Sequence, residues 1–293
     1  MSVVEAWLGD LHGVLAGERP SVAEVRVGVF YTAAQLASGH TGVAFTPRDL
    51  ADTVCCPRSA AAAPPAGRMA GQDAWDLARD ALAPAALRRA VGVAVLNALS
   101  ALAMDRRGVP GGRLLAGADA LDTAAIGPAD RVAMVGSFAP FIKRLKGRIA
   151  ELRVVDKHPE ALKADERGFW VAPDRAADAL GDASVVVITG SALVEGGLDA
   201  LLAAARGARE IVLAGPTASP WPPPFFARGV TVLGGIRVLD GARMLRLVSE
   251  GGSGYFFDTV AEKVCIVRTP APALQSPRRP SQPGDAYRGS GRR

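Results

Sequence analysis

Cysteine is nearly missing: three occur in 293 residues, and two of them, Cys55 and Cys56, are adjacent. That excludes a disulfide framework, and the absence of C-x-x-C or H-E-x-x-H spacing excludes the usual zinc motifs. A reducing cytoplasm is therefore the expected compartment. Histidine is equally scarce, at His12, His40 and His158, and there is no G-x-S-x-G elbow, so no hydrolase triad emerges. Long apolar runs are also lacking. The most apolar stretches, Val91 to Met104 and Val185 to Ile188, read as shorter than a membrane span, and acidic Glu5 and Asp10 near the start do not fit a secretory signal. Finally, no charge of one sign dominates. The formal net charge is +5, but residues 271 to 293 hold Arg278, Arg279, Arg288, Arg292 and Arg293 against Asp285 alone. The remainder is almost neutral, and no specific nucleic-acid partner is expected.

What is present is apolar residues at 49 %, with 33 glycines and 21 prolines, enough for one large domain or two ordinary ones joined by many turns. Residues 1 to 112 read as a small α+β unit. Val3 to Leu15 carries apolar residues at helical spacing. Val22, Val25, Val27, Val29 and Phe30 read as one strand, and Gly42 to Phe45 as a second after the Gly39-His40-Thr41-Gly42 turn, a pairing that suggests a hairpin. Residues 57 to 68 are rich in Ala and Pro and read as a surface loop. The helix over residues 85 to 104 has the stripe Leu87, Val91, Val95, Leu99 and Leu102, with Gly92, Ala94, Ala98 and Ala101 leaving room for a close neighbour. Asn97 lies inside it, positioned either to cap a buried backbone group or to reach a ligand in a cleft.

From residue 113 to 268 the rhythm changes. Branched runs at 132 to 135, 152 to 155, 184 to 188, 211 to 213 and 230 to 233 alternate with helical stretches at 138 to 146, 176 to 180, 198 to 205 and 240 to 250. Strands without polar alternation are covered on both faces, which predicts an α/β domain: a mostly parallel, Rossmann-like sheet with helices on each side. Residues 269 to 293 form a basic tail of disordered composition.

The chemistry-bearing residues gather at predicted strand ends. Gly136 and Ser137 follow one strand and Asp156 ends the next, as where a dinucleotide fold would hold a phosphate and a ribose. The full G-x-G-x-x-G fingerprint is absent, however, because Ser137, Phe138 and Ala139 occupy its middle and end. Thr189-Gly190, Gly215-Pro216-Thr217 and Gly234-Gly235 close the other strands and suggest one shared cleft. Candidate metal ligands are His40, Asp156 and His158, which would have to converge from separate segments; Cys265 is expected in a buried late strand. Tyr31, His40, Lys157 and His158 are the candidates for proton transfer.

Taken in order, several segments resemble one family: Val27-Gly28-Val29, Tyr31-Thr32, Ser38 to Ala44, Ala90 to Ala98, Val135 to Phe138 with Pro140, Asp156 to Glu160, Gly215-Pro216-Thr217 with Pro220, Phe226 to Gly229, and Gly235-Ile236 with Val238 and Asp240. The chain resembles the "putative heavy-metal chelation" family over roughly residues 3 to 268. The resemblance implies an enolase N-terminal-like domain followed by a Rossmann-like domain, with these segments around an interdomain cleft. Adjacent Cys55-Cys56 has no counterpart in the pattern.

The expectation that follows is a cytoplasmic binding protein for a heavy-metal or other divalent ion, or for a metal–ligand complex. Thr32, His40, Thr41 and Asn97 would face it from the first unit, and Gly136, Ser137, Asp156, His158, Thr189, Gly190, Gly215, Pro216 and Thr217 from the second. The competing reading is a small-molecule enzyme with a nucleotide-like cofactor at the strand ends. A third is a non-catalytic partner protein whose arginine tail docks an acidic surface. Pairing into a homo-oligomer is compatible with each.

Overall fold

The computed structural model describes residues 1–48 and 63–270. Cys55, Cys56, residues 57–62 of the predicted 57 to 68 loop and the tail beyond residue 270 lie outside these described residues.

The chain opens with helix α1 (Val3–Val14), whose start is fixed by a capping box: Ser2 Oγ accepts from Glu5 N–H while the Glu5 carboxylate accepts from Ser2 N–H. Its buried face, Val3, Trp7 and Leu11, lies in the main core. Three strands follow, β1 (Val22–Val27), β2 (Tyr31–Leu36) and β3 (Thr41–Phe45), in an antiparallel sheet of order β1-β2-β3. The expected single strand through Phe30 is thus two strands. The chain reverses at residues 28–30, where Gly28 N–H donates to Tyr31 O across the turn, and the missing side chain of Gly28 lets the Val248 carbonyl approach.

After α2 (Ala74–Ala78) comes α3 (Ala86–Arg107), the longest helix. By length and composition it is sufficient to cross a membrane, which corrects the expectation that no run is long enough. Here its apolar surface is used internally: Val91, Val95, Leu96, Leu99 and Leu102 are buried, and the last four belong to the main core, which takes in residues of the three-stranded sheet and of the large sheet. Close approach is permitted by two glycines. A side chain on Gly42 would strike the backbone of Ala94 and Ala98, and one on Gly92 would strike that of Asp80 and Ala81.

The larger unit is an eight-stranded mixed sheet flanked by helices. Its strands are β4 (Gly112–Ala116), β5 (Arg131–Val135), β6 (Glu151–Val155), β7 (Trp170–Val171), β8 (Val185–Thr189), β9 (Glu210–Ala214), β10 (Val232–Val238) and β11 (Ala261–Arg268), in the order β4-β11-β10-β9-β8-β5-β6-β7. From β10 to β7 all neighbours are parallel, while β11 runs antiparallel to both β10 and β4. Successive strand residues alternate between two cores: Val186, Ile188 and Leu213 on one side, Val185, Val187 and Val212 on the other. That explains the unbroken apolar runs in the sequence. The helices on the two faces include α4 (Ala120–Thr123), α5 (Ala139–Leu145), α6 (Ala176–Gly181), α7 (Ala192–Glu195), α8 (Leu198–Ala204) and α9 (Pro223–Phe226), while α10 (Gly241–Ser249) packs on the small sheet against β1 and β2. A third core, with Ala33, Val43, Met244 and Phe257, joins the small sheet to α10 and the 254–259 turn.

Candidate functional site

The strand order reverses between β5 and β8, the position at which open α/β sheets bind ligands. Here that crevice is narrowed by the protein itself. Gly136 has φ +91°, and its absent side chain leaves room for Thr189, which packs against it. Thr189 Oγ1 is engaged with Ser191, and Gly190 is held so tightly beneath Thr217 and Ala218 that a side chain there would touch the Ala218 backbone. Of the strand ends expected to share a cleft, Thr189-Gly190 is therefore spent on packing.

The open space lies beside it. A cavity of about 690 Å³ is bounded below by Ser137-Phe138, Gly215-Pro216 and Gly234-Gly235 at the ends of β5 and β9 and within β10. Above it stand Phe30, Tyr31, Phe45 and Arg48 from the small unit, and Tyr255 and Phe257 close one side. The aromatic lining is organised by contacts: Phe138 stacks on Phe141 at 5.2 Å, Tyr31 tilts against Phe257 at 4.9 Å, and the Arg48 guanidinium lies 5.6 Å over Phe30. Burial pushes the Tyr31 phenol up to about 12, with the neighbouring Tyr255 adding to the effect, so Tyr31 offers a neutral hydroxyl at ordinary pH. Asp119 and Lys263 form an ion pair of 3.2 Å on the wall, and the Ser137 hydroxyl is buried without a partner.

The three expected metal ligands are not brought together. His40 sits on the β2–β3 turn, its Nε2 3.6 Å from Asp105 and its Nδ1 bonded to Ser38 Oγ at 3.0 Å. Asp156 closes the turn after β6: its Oδ2 accepts from Ser137 N–H at 2.9 Å and its Oδ1 from His158 N–H at 3.0 Å. His158 is exposed and pairs with Glu160. No group of three or more His, Cys, Asp or Glu residues is placed to hold a metal ion among the described residues. Those residues do not fit a bare metal ion: Asp156 is committed to backbone donors, and the two histidines lie on separate turns. Lys157, expected near the chemistry, is exposed and pairs with Glu195.

Asn97 and Thr217 instead join the units, while Thr32 is tied within the small one. Thr32 and Thr46 share a hydroxyl hydrogen bond of 2.9 Å, Thr217 Oγ1 accepts from Phe45 N–H at 2.9 Å, and Asn97 Nδ2 donates to Val43 O and Thr217 O. Thr41 Oγ1 donates to Gly39 O and accepts from Gln35. The aromatic wall and the Asp119–Lys263 pair were not anticipated as a site, because their members are separated in the chain. Tyr31, singled out for its hydroxyl, and Phe138, in the glycine turn after β5, were the members to which the sequence pointed.

Comparisons with known proteins agree with this architecture. A family profile described as "Putative heavy-metal chelation", DUF364, matches residues 119–267, and a second of the same description, DUF4213, matches residues 14–100. A crystal structure of a DUF364 protein of unknown function from Pyrococcus horikoshii superposes with a TM-score of 0.71 at 19% identity, covering 91% of this chain and 100% of that one. One from Desulfitobacterium hafniense DCB-2, also of unknown function, gives 0.69 at 20% identity, covering 90% of this chain and 98% of the other. No curated protein matches.

Proposed function

Given that the chain belongs to the DUF364 family, described by the words "Putative heavy-metal chelation", we propose that it binds a small organic molecule in the cavity between its two units, and that a heavy metal reaches it as a metal–ligand complex held through the organic part. The observation that carries this reading is the lining of the 690 Å³ space: aromatic faces from both units surround it, with an ion pair and two hydroxyls at its edge. Such a surface recognises a flat or apolar body with a few polar groups. It supplies no cluster of carboxylate, imidazole or thiolate donors among the described residues.

In this reading the Phe138–Phe141 stack and Phe45 hold the organic body, while the Tyr31 hydroxyl orients a polar atom of it. Arg48 and Lys263 stand on the lining with Asp119, Asp258 and Glu262, so the space offers charged partners of both signs to the polar groups of a ligand. The scarcity of cysteine fits a reducing, cytoplasmic setting.

Native mass spectrometry of gently purified full-length protein, with elemental analysis of the same sample, tests this. The expected result is an organic adduct, carrying any metal in fixed ratio to itself, that is lost in Phe138→Ala. A stoichiometric metal without an organic adduct would overturn the reading in favour of direct coordination. A metal-free, nucleotide-sized adduct would overturn the chelate and favour the enzyme alternative.

A further inference from the structure

Strand β1 is an edge of the small sheet and pairs with β2 alone. Its beginning is covered by the chain itself: Val22 N–H donates to Gln72 O, Gly71 N–H donates to Val22 O, and Ser21 bridges Asp73. Its end is set by the reversal that starts at Gly28. Between these limits lies an open stretch from Ala23, the bulged residue, to Val27. Hydrogen-bonded and non-bonded pairs alternate along an antiparallel ladder. Gly28 N–H donates to Tyr31 O, so the next bonded pair is Arg26 with Ala33, and Val25 and Val27 turn their N–H and C=O groups away from β2. Neither residue has a backbone partner on that outer side among the described residues.

Such a row of unpaired groups accepts another strand unless charge or proline blunts it. This stretch has no proline, and its charges are one of each sign, two residues apart. Glu24 and Arg26 share the face that carries Ala33, with side chains 39% and 53% exposed, and pair with each other along the strand. An exposed ion pair of that kind contributes little to the fold. On the opposite face Val25 packs on the main core, whereas Val27 leaves 43% of its surface in solvent.

We propose that a second copy of this chain adds its own β1 to this edge, antiparallel and about a two-fold axis at Val25, so that two three-stranded sheets become one. Two separate features choose that register. Val25 lies midway between the covered Val22 and the reversal at Gly28, so an axis there uses the whole open stretch. It also sets Glu24 of each copy opposite Arg26 of the other, in the non-bonded pairs where side chains stand closest. With the axis at Arg26, two arginines would face each other and each Glu24 would meet a glycine. With the axis at Val27, Glu24 would fall beyond the end of the opposing strand. At the Val25 register the two Val25 residues exchange backbone hydrogen bonds, and Val27 is covered by Ala23 of the second copy. The contact is self-complementary and closed, as a two-fold dimer requires. It does not depend on what the cavity between the units holds.

Sedimentation velocity on the full chain tests this, with circular dichroism confirming that each variant is folded. The unmodified protein is expected to be a dimer at micromolar concentration. Glu24→Arg sets arginine against arginine and Arg26→Glu sets carboxylate against carboxylate, so each variant alone is expected to dissociate about tenfold more readily. An equimolar mixture of the two restores opposite charges at both pairs, and a mixed dimer as tight as the unmodified one is expected. Val27→Pro removes an N–H that β2 does not use and is expected to give a folded monomer; should it not fold, the two charge variants at exposed positions decide alone. A monomeric unmodified protein overturns the proposal, as does a dimer undiminished in both charge variants or in folded Val27→Pro. Dissociation of both charge variants without recovery on mixing overturns it equally, because only facing charges predict the recovery.

Discussion

At the scale of single residues, polar groups that sequence reading assigned to ligands are largely occupied by the chain itself. Asp130, which drew no attention, shows how much one side chain can join. Its Oδ1 accepts from Ser184 Oγ at 2.7 Å, and its Oδ2 accepts from Gly127 N–H at 2.7 Å and Arg209 Nη2 at 2.6 Å, linking the starts of β5, β8 and β9. Burial pushes this carboxyl up, but the Gly127 N–H, the Ser184 hydroxyl and Arg209 together hold it below its ordinary value. The stabilisation is therefore present above the unfolded carboxyl value and lost as pH falls through the lower folded one. Asp130→Asn should lower stability by about 1–3 kcal/mol at pH 7, and the difference from the unmodified protein should shrink in acid; urea unfolding at both pH values measures it. Tyr31 has the opposite sign. With its phenol raised to about 12, the unfolded chain ionises first, so stability should fall as pH rises from the unfolded tyrosine value toward 12. Absorbance titration of Tyr31→Phe against the unmodified protein should remove one late-ionising phenol.

At the scale of elements, helix α3 decides how the small unit is assembled. Its small-residue face lets β3 approach so closely that Gly42 has no room for a methyl group, and the 80–81 backbone approaches Gly92 in the same way. Gly42→Ala and Gly92→Ala should each destabilise by roughly 1–3 kcal/mol or more, through forced displacement of backbone. Gly9→Ala is the contrasting case: it lies inside α1 with nothing near its missing side chain, so it should stabilise by about 0.5–1 kcal/mol. Thermal and denaturant unfolding of the three variants should show these opposite signs; destabilisation by Gly9→Ala as large as by Gly42→Ala would mean that close approach is not the cause. The periodicity of residues 85 to 104 announced this helix and its small face, but could not say that the neighbour on that face would be β3. The separate strand β2 was missed because Tyr31-Thr-Ala-Ala-Gln-Leu36 lacks alternation: Thr32, Ala33 and Ala34 are all buried, between α3 on one face and α10 on the other.

At the scale of the whole molecule, the two units are tied by buried polar bonds as well as by a shared core. Trp7 Nε1 donates to Ser100 Oγ at 2.9 Å, and Trp221 N–H donates to the same oxygen at 2.9 Å. Trp221 Nε1 reaches Asp10 at 2.7 Å, while Asn97 bridges Val43 and Thr217. With the main core running from Trp7 through α3 to Leu213 and Ile266, the molecule is expected to unfold in one transition, with far-ultraviolet dichroism and tryptophan fluorescence coinciding. Ser100→Ala, which strips the acceptor from two buried N–H groups, should lower the stability of that single transition by about 1–3 kcal/mol. Two resolved transitions in the unmodified protein would show that the units are less strongly coupled than these contacts require.

The sequence by itself determined the class of fold. Local periodicity and unbroken branched runs are enough to mark helices and doubly covered strands, and glycines after strands marked the turns at Gly136-Ser137 and Gly215-Pro216, of which Ser137, Gly215 and Pro216 border the cavity. The tertiary structure alone decided which polar residues face open space. Asp156 and Thr189 were legible as residues at strand ends, yet backbone donors and packing engage them, whereas Phe45, Phe138, Tyr255 and the Asp119–Lys263 pair meet around the cavity from distant segments. The reason is physical: helix and strand patterns depend on neighbours a few residues away, but a site depends on which side chains remain unsatisfied after the whole chain has made its own contacts.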